Sequence, residues 1–254
     1  MFIGFCAGES HLRLFVVQFI MKMLCFATGC LWRLVGKIDI MDFISKLDID
    51  GVEYTYGRAY TERVPSENDF DILKKYKYVS IHTPFKLSLD KMLIDEFNST
   101  LNSIFQDYKK MGAQHTVFHP GLVLPTALPK MNYITENLNP KKEADRPKLA
   151  FEKVLNQKND WGLCLDASHA FDWGIEETER IVKKWKHRIK EVHFSNNRYH
   201  KDHLSFQKVS NGFLKSIEPL IELNVPFVIE EDTHFTNVNG WNKEIKRVRD
   251  ILSL

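Results

Sequence analysis

Residues 162–169 read Gly162-Leu163-Cys164-Leu165-Asp166-Ala167-Ser168-His169. A glycine opens a short apolar run, the run ends on a carboxylate, and an imidazole follows three residues on. A run this short fits a strand in a parallel sheet, which is buried on both faces. Its last side chain is then presented beyond the strand's C-terminal end. The same form recurs along the chain in Ile81-His82-Thr83-Pro84, Phe118-His119-Pro120-Gly121, Thr135-Glu136-Asn137, Val192-His193-Phe194-Ser195 and Val228-Ile229-Glu230.

From Leu24 onward such runs alternate with stretches of helical period, the pattern of a parallel sheet with crossover helices. The strand candidates are Leu24–Cys30, Gly51–Tyr56, Tyr78–His82, Thr116–His119, Tyr133–Glu136, Gly162–Asp166, Glu191–Phe194 and Phe227–Glu230. They number about eight, the closing number of a (β/α)8 TIM barrel. The strongest helix follows Ser88, where Leu93, Phe97, Leu101, Ile104, Tyr108 and Met111 repeat at three or four residues before a stop at Gly112. Further helices fit Ile40–Leu47, Pro147–Leu155, Glu176–Trp185, Phe213–Leu223 and Trp241–Leu252. No internal repeat, low-complexity tract or linker interrupts them. The expected fold class is therefore α/β, a single-domain barrel over residues 23–254.

The chain has 254 residues, 44% hydrophobic and 27% charged, which excludes disorder as its main theme and allows a large core. A formal charge of +2, left over from 35 basic and 33 acidic side chains, gives no global field to recruit nucleic acid or an anionic membrane. Cys6, Cys25, Cys30 and Cys164 form no C-x-x-C pair, against a disulfide framework or a thiolate zinc knuckle, so a reducing cytoplasm is the expected home. Leu14–Ile20 is apolar except for Gln18, and Met23–Trp32 is largely apolar, but Lys22 and Arg33 break the stretch. A spanning helix needs about 20 apolar residues, so no membrane role is expected. Met21 and Met23 stand just before the first strand, and residues 1–22 read as an N-terminal extension.

In a TIM barrel the active site lies where strands end and loops begin. Here the strand ends carry His82, His119, Glu136, Asp166 with His169 close behind, His193 and Glu230. A lone strand-end histidine is ordinarily a hydrogen-bonded structural residue. Acids and imidazoles delivered together are different, because neighbouring carboxylates repel and disturb each other's ionisation, and a divalent cation removes the conflict. Imidazole with carboxylate oxygen suits manganese, zinc or cobalt, and a set without cysteine argues against a purely structural zinc.

With these motifs in this order, from about Met23 to the C-terminus, the sequence resembles the xylose-isomerase-like TIM barrels. That superfamily joins sugar isomerases and epimerases to the endonuclease IV type of AP endonuclease. The resemblance implies that Glu136, Asp166, His193 and Glu230 take the places of the four ligands of single-metal ketose epimerases. In the endonuclease branch His82 and His119 would join Glu136 around a second metal, and His169 with a downstream Asp-x-His pair would hold a third. His203, in Asp202-His203-Leu204-Ser205, takes the place of that downstream histidine. The sequence departs from the pattern there: Lys201 stands where the paired aspartate is expected, Asp202 is one position off, and Gln207 replaces the usual glycines.

Two activities follow from the resemblance. The first is a metal-dependent isomerase or epimerase of a small sugar or sugar phosphate, with Glu136 and Glu230 as base and acid around an enediolate and His169 and Arg198 contacting substrate. The alternative is a phosphodiesterase of the endonuclease IV type acting on abasic-site DNA, gripped by cations such as Arg58, Arg63, Lys141, Lys142, Arg146 and Arg198. The basic run Lys183-Lys184-Trp185-Lys186-His187-Arg188 reads as a helix end, where cations suit the dipole and Trp185 lies on the apolar face. Phe171, Trp173 and Gly174 fit a pocket wall or a cover over the barrel rim equally well.

Overall fold

Each of the short apolar runs is a strand, and the strands close on one another. In a computed structural model, which describes residues 22–57, 60–85, 87, 92–121, 127–141, 150–198, 200–232 and 235–254, the order around the barrel is β1-β10-β7-β6-β5-β4-β3-β2. The barrel strands are β1 (Leu24–Ala27), β2 (Gly51–Thr55), β3 (Tyr78–His82), β4 (His115–Phe118), β5 (Tyr133–Glu136), β6 (Gly162–Asp166), β7 (Ile189–Phe194) and β10 (Phe227–Ile229). All neighbouring pairs are parallel. A separate antiparallel hairpin, β8 (Asn196–Arg198) and β9 (Lys201–Leu204), rises from the end of β7. The N-terminal extension lies outside the described residues apart from Lys22, and so do Arg58, Ser88, Lys142, Arg146 and Pro147.

The helices are α1 (Ile40–Ile44), α2 (Glu67–Leu73), α3 (Ile94–Met111), α4 (Ala150–Gln157), α5 (Ala167–Trp173), α6 (Glu177–Trp185), α7 (Asn211–Ile221) and α8 (Val238–Leu252). Local chemistry sets their ends. Ser66 and Asp69 form a capping box on α2, and Gly112 ends α3 in the left-handed region at φ 65°, where a glycine carries no steric penalty. Among the described residues no helix is long and apolar enough to cross a membrane.

Several boundaries differ from the sequence reading. The first strand stops at Ala27 and passes into a 3-10 turn over Thr28–Leu34. Cys30 explains the bend, since its thiol donates to Ile229 O at 3.3 Å and accepts from Glu231 N at 3.2 Å, tying the turn to the end of β10. The fourth strand runs from His115 to Phe118, leaving His119 one residue beyond it. Helix α5 was not expected. Asp166 makes it possible, ending β6 while its Oδ1 accepts from His169 N at 2.7 Å as the N-cap.

Strand alternation sorts side chains between the helix layer and the barrel interior. Outward residues meet helices, as where Phe26 of β1 meets Trp241 of α8 edge-on at 4.8 Å between ring centroids. Inward residues are revealed by contacts between strands that are not neighbours. Tyr78 OH on β3 donates to Glu191 Oε2 on β7 at 2.6 Å, and His193 Nε2 on β7 lies 2.9 Å from Glu53 Oε2 on β2. The interior is therefore polar at mid-height, where barrels usually hold branched apolar side chains.

Glycine at the base of β2 is a packing requirement. A Cβ on Gly51 would lie 2.6 Å from Tyr78 O and 2.7 Å from Cys25 Sγ, and the first of these is backbone that cannot turn aside. Gly51→Ala is expected to lower unfolding free energy by about 1–3 kcal/mol in urea titrations. An unchanged urea midpoint would show that β2 and β3 do not approach as described.

Candidate metal centre

The C-terminal ends of the barrel strands bring the acids and imidazoles together. Ligand atoms of Glu136, Asp166, His193 and Glu230 all lie within 4.8 Å of one another. Glu136 is the hub. Its Oε2 has His119 Nε2 at 2.9 Å and His82 Nε2 at 3.4 Å, and its Oε1 has His169 Nδ1 at 3.1 Å. On the other flank, ligand atoms of Asp166, His169 and His203 form a further group within 4.8 Å. Asp202 Oδ2 stands 3.5 Å from His169 Nε2 and 3.6 Å from His203 Nε2.

The position of Asp202 has a backbone cause. In an extended strand adjacent side chains point to opposite faces, so two residues sharing a site are normally separated by one. His203 breaks the alternation by adopting φ 55°, in the left-handed region. Adjacent Asp202 and His203 thereby reach the same histidine. The departure noted in the sequence, an aspartate one position off, is offset by this twist of the hairpin.

The imidazoles share one mode of fixing. Nδ1–H of His82 donates to Thr83 O at 2.9 Å, Nδ1–H of His169 to Asn137 O at 3.0 Å, and Nδ1–H of His203 to Glu230 O at 2.9 Å. His193 is held by the opposite nitrogen, Nε2 to Glu53. One nitrogen of each ring is committed to an acceptor; the other faces the central acids in His82 and His193 and faces Asp202 in His169 and His203. Metal-ligating histidines are held in this way, because the outer hydrogen bond fixes tautomer and ring plane.

Buried atoms without partners converge at the same point. Among the described residues, His82 Nε2, Glu136 Oε2, Asp166 Oδ2, His193 Nδ1 and Glu230 Oε2 are shielded from solvent and make no well-formed hydrogen bond. Such orphaned groups are rare in a native fold unless an ion or water joins them. The donor set fits a hard or borderline divalent cation. Burial opposes ionisation of Glu136, yet the imidazoles of His119, His169 and His193 hold its carboxyl well below the usual range. His193 and His203 do the same for Glu230 against its burial.

Above this floor opens a cavity of about 760 Å³, walled by residues that include Trp32, Tyr56, Arg63, Phe85 and Leu138, with Glu136, His119, His203 and Glu230 also facing it. Arg63 is the one lysine or arginine among the described residues lining it, and its guanidinium lies over the Tyr54 ring at 4.7 Å. Cys30 and Glu231 reach the cavity too. Burial pushes the Cys30 thiol up, and burial with Glu244 nearby pushes the Glu231 carboxyl up, so neither is poised as an anionic nucleophile. Arg198 is exposed on β8 and is not part of the cavity wall. Phe171 packs on Phe213, Trp173 Nε1 donates to Leu138 O at 2.8 Å, and neither is in the cavity wall.

Sequence reading missed Glu53, Glu191 and the role of Asp202. A carboxylate in mid-strand resembles an outward polar residue, but in a barrel whose strands are covered on both faces it has no solvent to point at. That was the available signal for Glu53 and Glu191, both fully buried. No sequence signal announces the φ of His203.

The imidazole charges predict an unusual pH response. Burial disfavours protonated His82, but the carboxylates of Glu136, Glu53 and Glu230 prevail and raise its pKa from 6.5 to about 9. A proton held more tightly in the folded state contributes stability that is complete below the unfolded pKa and is lost as pH rises through the folded one. Chelator-stripped protein is therefore expected to unfold at lower urea near pH 9.5 than near pH 6.5, whereas zinc affinity rises over that window because ligation needs neutral imidazole (about one proton released per ligating histidine). A flat urea midpoint in chelator would contradict the charged imidazole.

No protein-family model and no curated protein matches the sequence. Solved structures do match. A D-tagatose 3-epimerase-like protein aligns at 16% identity over 92% of this chain and 97% of its own, with a TM-score of 0.64. Endonuclease IV from Thermus thermophilus aligns at 14% identity over 91% and 99%, with a TM-score of 0.61. The IOLI protein with a zinc atom aligns at 13% identity over 91% and 98%, with a TM-score of 0.59. At these identities the likeness carries the fold alone, a (β/α)8 TIM barrel.

Proposed function

We propose that this chain is a divalent-metal-dependent hydrolase of phosphodiester bonds, of the endonuclease IV kind, acting on nucleic acid at an abasic site. The observation that carries the reading is the turn of Asp202 and His203 toward His169, which gives the central acid group a second flank. Glu136, Asp166, His193 and Glu230 would hold the central cation. His82 and His119 with Glu136 would hold one neighbour, and His169, Asp202 and His203 with Asp166 the other. Bound zinc, manganese or cobalt would acidify water near neutral pH and neutralise charge on phosphoryl oxygens.

The chain's own residues supply the rest. Glu136, ringed by imidazoles, serves as a shared ligand and not as a mobile base. Arg63 in the cavity wall would bind a phosphate oxygen, and its planar donors suit that geometry. On the rim, Lys141 Nζ donates to His200 O at 2.8 Å, placing it beside the hairpin that carries exposed Arg198 and Lys201. These cations would follow a phosphate backbone past the mouth.

A second reading, a sugar or sugar-phosphate isomerase or epimerase, is favoured by the cavity itself. Its size falls in the range of small-molecule sites, and Glu136 and Glu230 both line it, with oxygens 3.9 and 3.0 Å from His193 Nδ1. In that case the two carboxylates would carry a carbon-bound proton.

The test pairs two assays on protein purified without chelator. Cleavage of duplex DNA bearing an abasic site is expected, and Asp202→Ala is expected to reduce it about 10–100-fold and to lower the bound metal count with an unchanged circular dichroism spectrum. Absence of cleavage, with deuterium from solvent appearing beside the carbonyl of an offered ketose or ketose phosphate, would transfer the assignment to the second reading.

A further inference from the structure

Glu53 belongs to none of the ligand groups at the barrel mouth, yet it is wholly buried in the middle of β2. Its Oε2 lies 2.9 Å from His193 Nε2 across the barrel interior, since β2 and β7 are not neighbours in the sheet. Its Oε1 has no hydrogen bond among the described residues. A carboxylate taken out of water is costly unless paired and fully hydrogen-bonded, and one neutral imidazole N–H is weak compensation.

The other side of the same ring explains the arrangement. His193 Nδ1 is buried, makes no hydrogen bond, and faces Glu230 Oε2 at 3.0 Å and Glu136 Oε1 at 3.9 Å. A neutral ring has one proton. Glu53 and, at 3.3 Å, Glu191 Oε1 both draw it to Nε2. The Nδ1 lone pair is then turned toward carboxylate oxygens, which is repulsive unless a second proton or a cation lies between them. A cation on Nδ1 also draws electron density from the ring, so the Nε2–H becomes the strong donor that a buried carboxylate requires. Glu191 is a lesser partner, because it already accepts from Tyr78 OH at 2.6 Å and sits one layer lower with Cys164 Sγ at 3.8 Å.

We propose that Glu53 is a positioning residue of the metal centre, fixing His193 as the Nε2–H tautomer and aiming Nδ1 at the central cation. The inference rests on the metal-centre part of the proposed function and is independent of which reaction the centre performs.

Zinc affinity of the stripped full-length protein, measured by competition with a chromophoric chelator, tests it directly. Glu53→Gln keeps size and an acceptor oxygen but removes the charge, and is expected to weaken zinc binding about 10–100-fold, against about threefold or less for Glu191→Gln. Histidine-selective nitrogen NMR of the zinc-loaded wild type is expected to show a proton on Nε2 and zinc at Nδ1 of His193. Wild-type zinc affinity in a folded Glu53→Gln protein would overturn the proposal while leaving the metal centre intact. If that variant does not fold, the wild-type spectrum decides, and a proton on Nδ1 or zinc on Nε2 overturns it. A wild-type protein that binds no divalent cation would overturn the metal centre and this proposal together.

Discussion

Carboxylates and imidazoles crowded into the dry mouth of a closed barrel are the constraint on which the rest of the site depends. Glu136, Asp166 and Glu230 bring oxygens within 4.8 Å of one another, with His193 in the same group. Isolated carboxylates at that spacing in a low dielectric would shift their ionisation until repulsion was relieved. Protonated imidazoles offer one relief, and they hold Glu136 and Glu230 ionised against their burial. A divalent cation offers another, and it also satisfies the orphaned nitrogens and oxygens that protonation leaves unmatched. The fixed rings of His82, His169, His193 and His203 are costly to maintain for a proton alone and natural for a metal.

The barrel places these groups by simple alternation. On β7, Glu191 and His193 share the inner face, while Val192 and Phe194 pack into the apolar layer outside. The result is a polar column through the barrel, from Tyr78 and Glu191 in the middle to His193 and Glu230 at the top. Val117, Ile134 and Cys164 form a small apolar group of their own, apart from the main core. Stability is then supplied mostly by the outer layer, where Phe26, Phe97, Phe213 and Trp241 are fully buried. Interior and exterior have divided the tasks of chemistry and cohesion.

Much of this was legible in the residues. The run Gly162–Asp166 followed by His169 declared a buried strand ending in an acid with an imidazole close behind, and the repetition of that form declared a barrel. Strand ends proved less legible than strands, because the turn after Ala27 depends on a thiol bonding to residues about two hundred positions away. Helix α5 was hidden for a related reason, since Asp166 acts at once as strand end, cap and member of the acid group. Asp202 was the hardest to read. Spacing rules assume regular backbone, and the positive φ at His203 is a local exception that permits adjacent residues to share one site.

The proposed cluster of cations at the mouth, with each histidine presenting one nitrogen, is open to direct measurement by anomalous diffraction from crystals grown with zinc. A central peak is expected roughly 2.0–2.3 Å from Glu136, Asp166, Glu230 and His193 Nδ1, with flanking peaks at Nε2 of His82 and His119 and at Nε2 of His169 and His203. A single peak that leaves His82, His119 and His203 unligated would contradict the cluster, and no peak at the mouth would contradict the metal centre altogether.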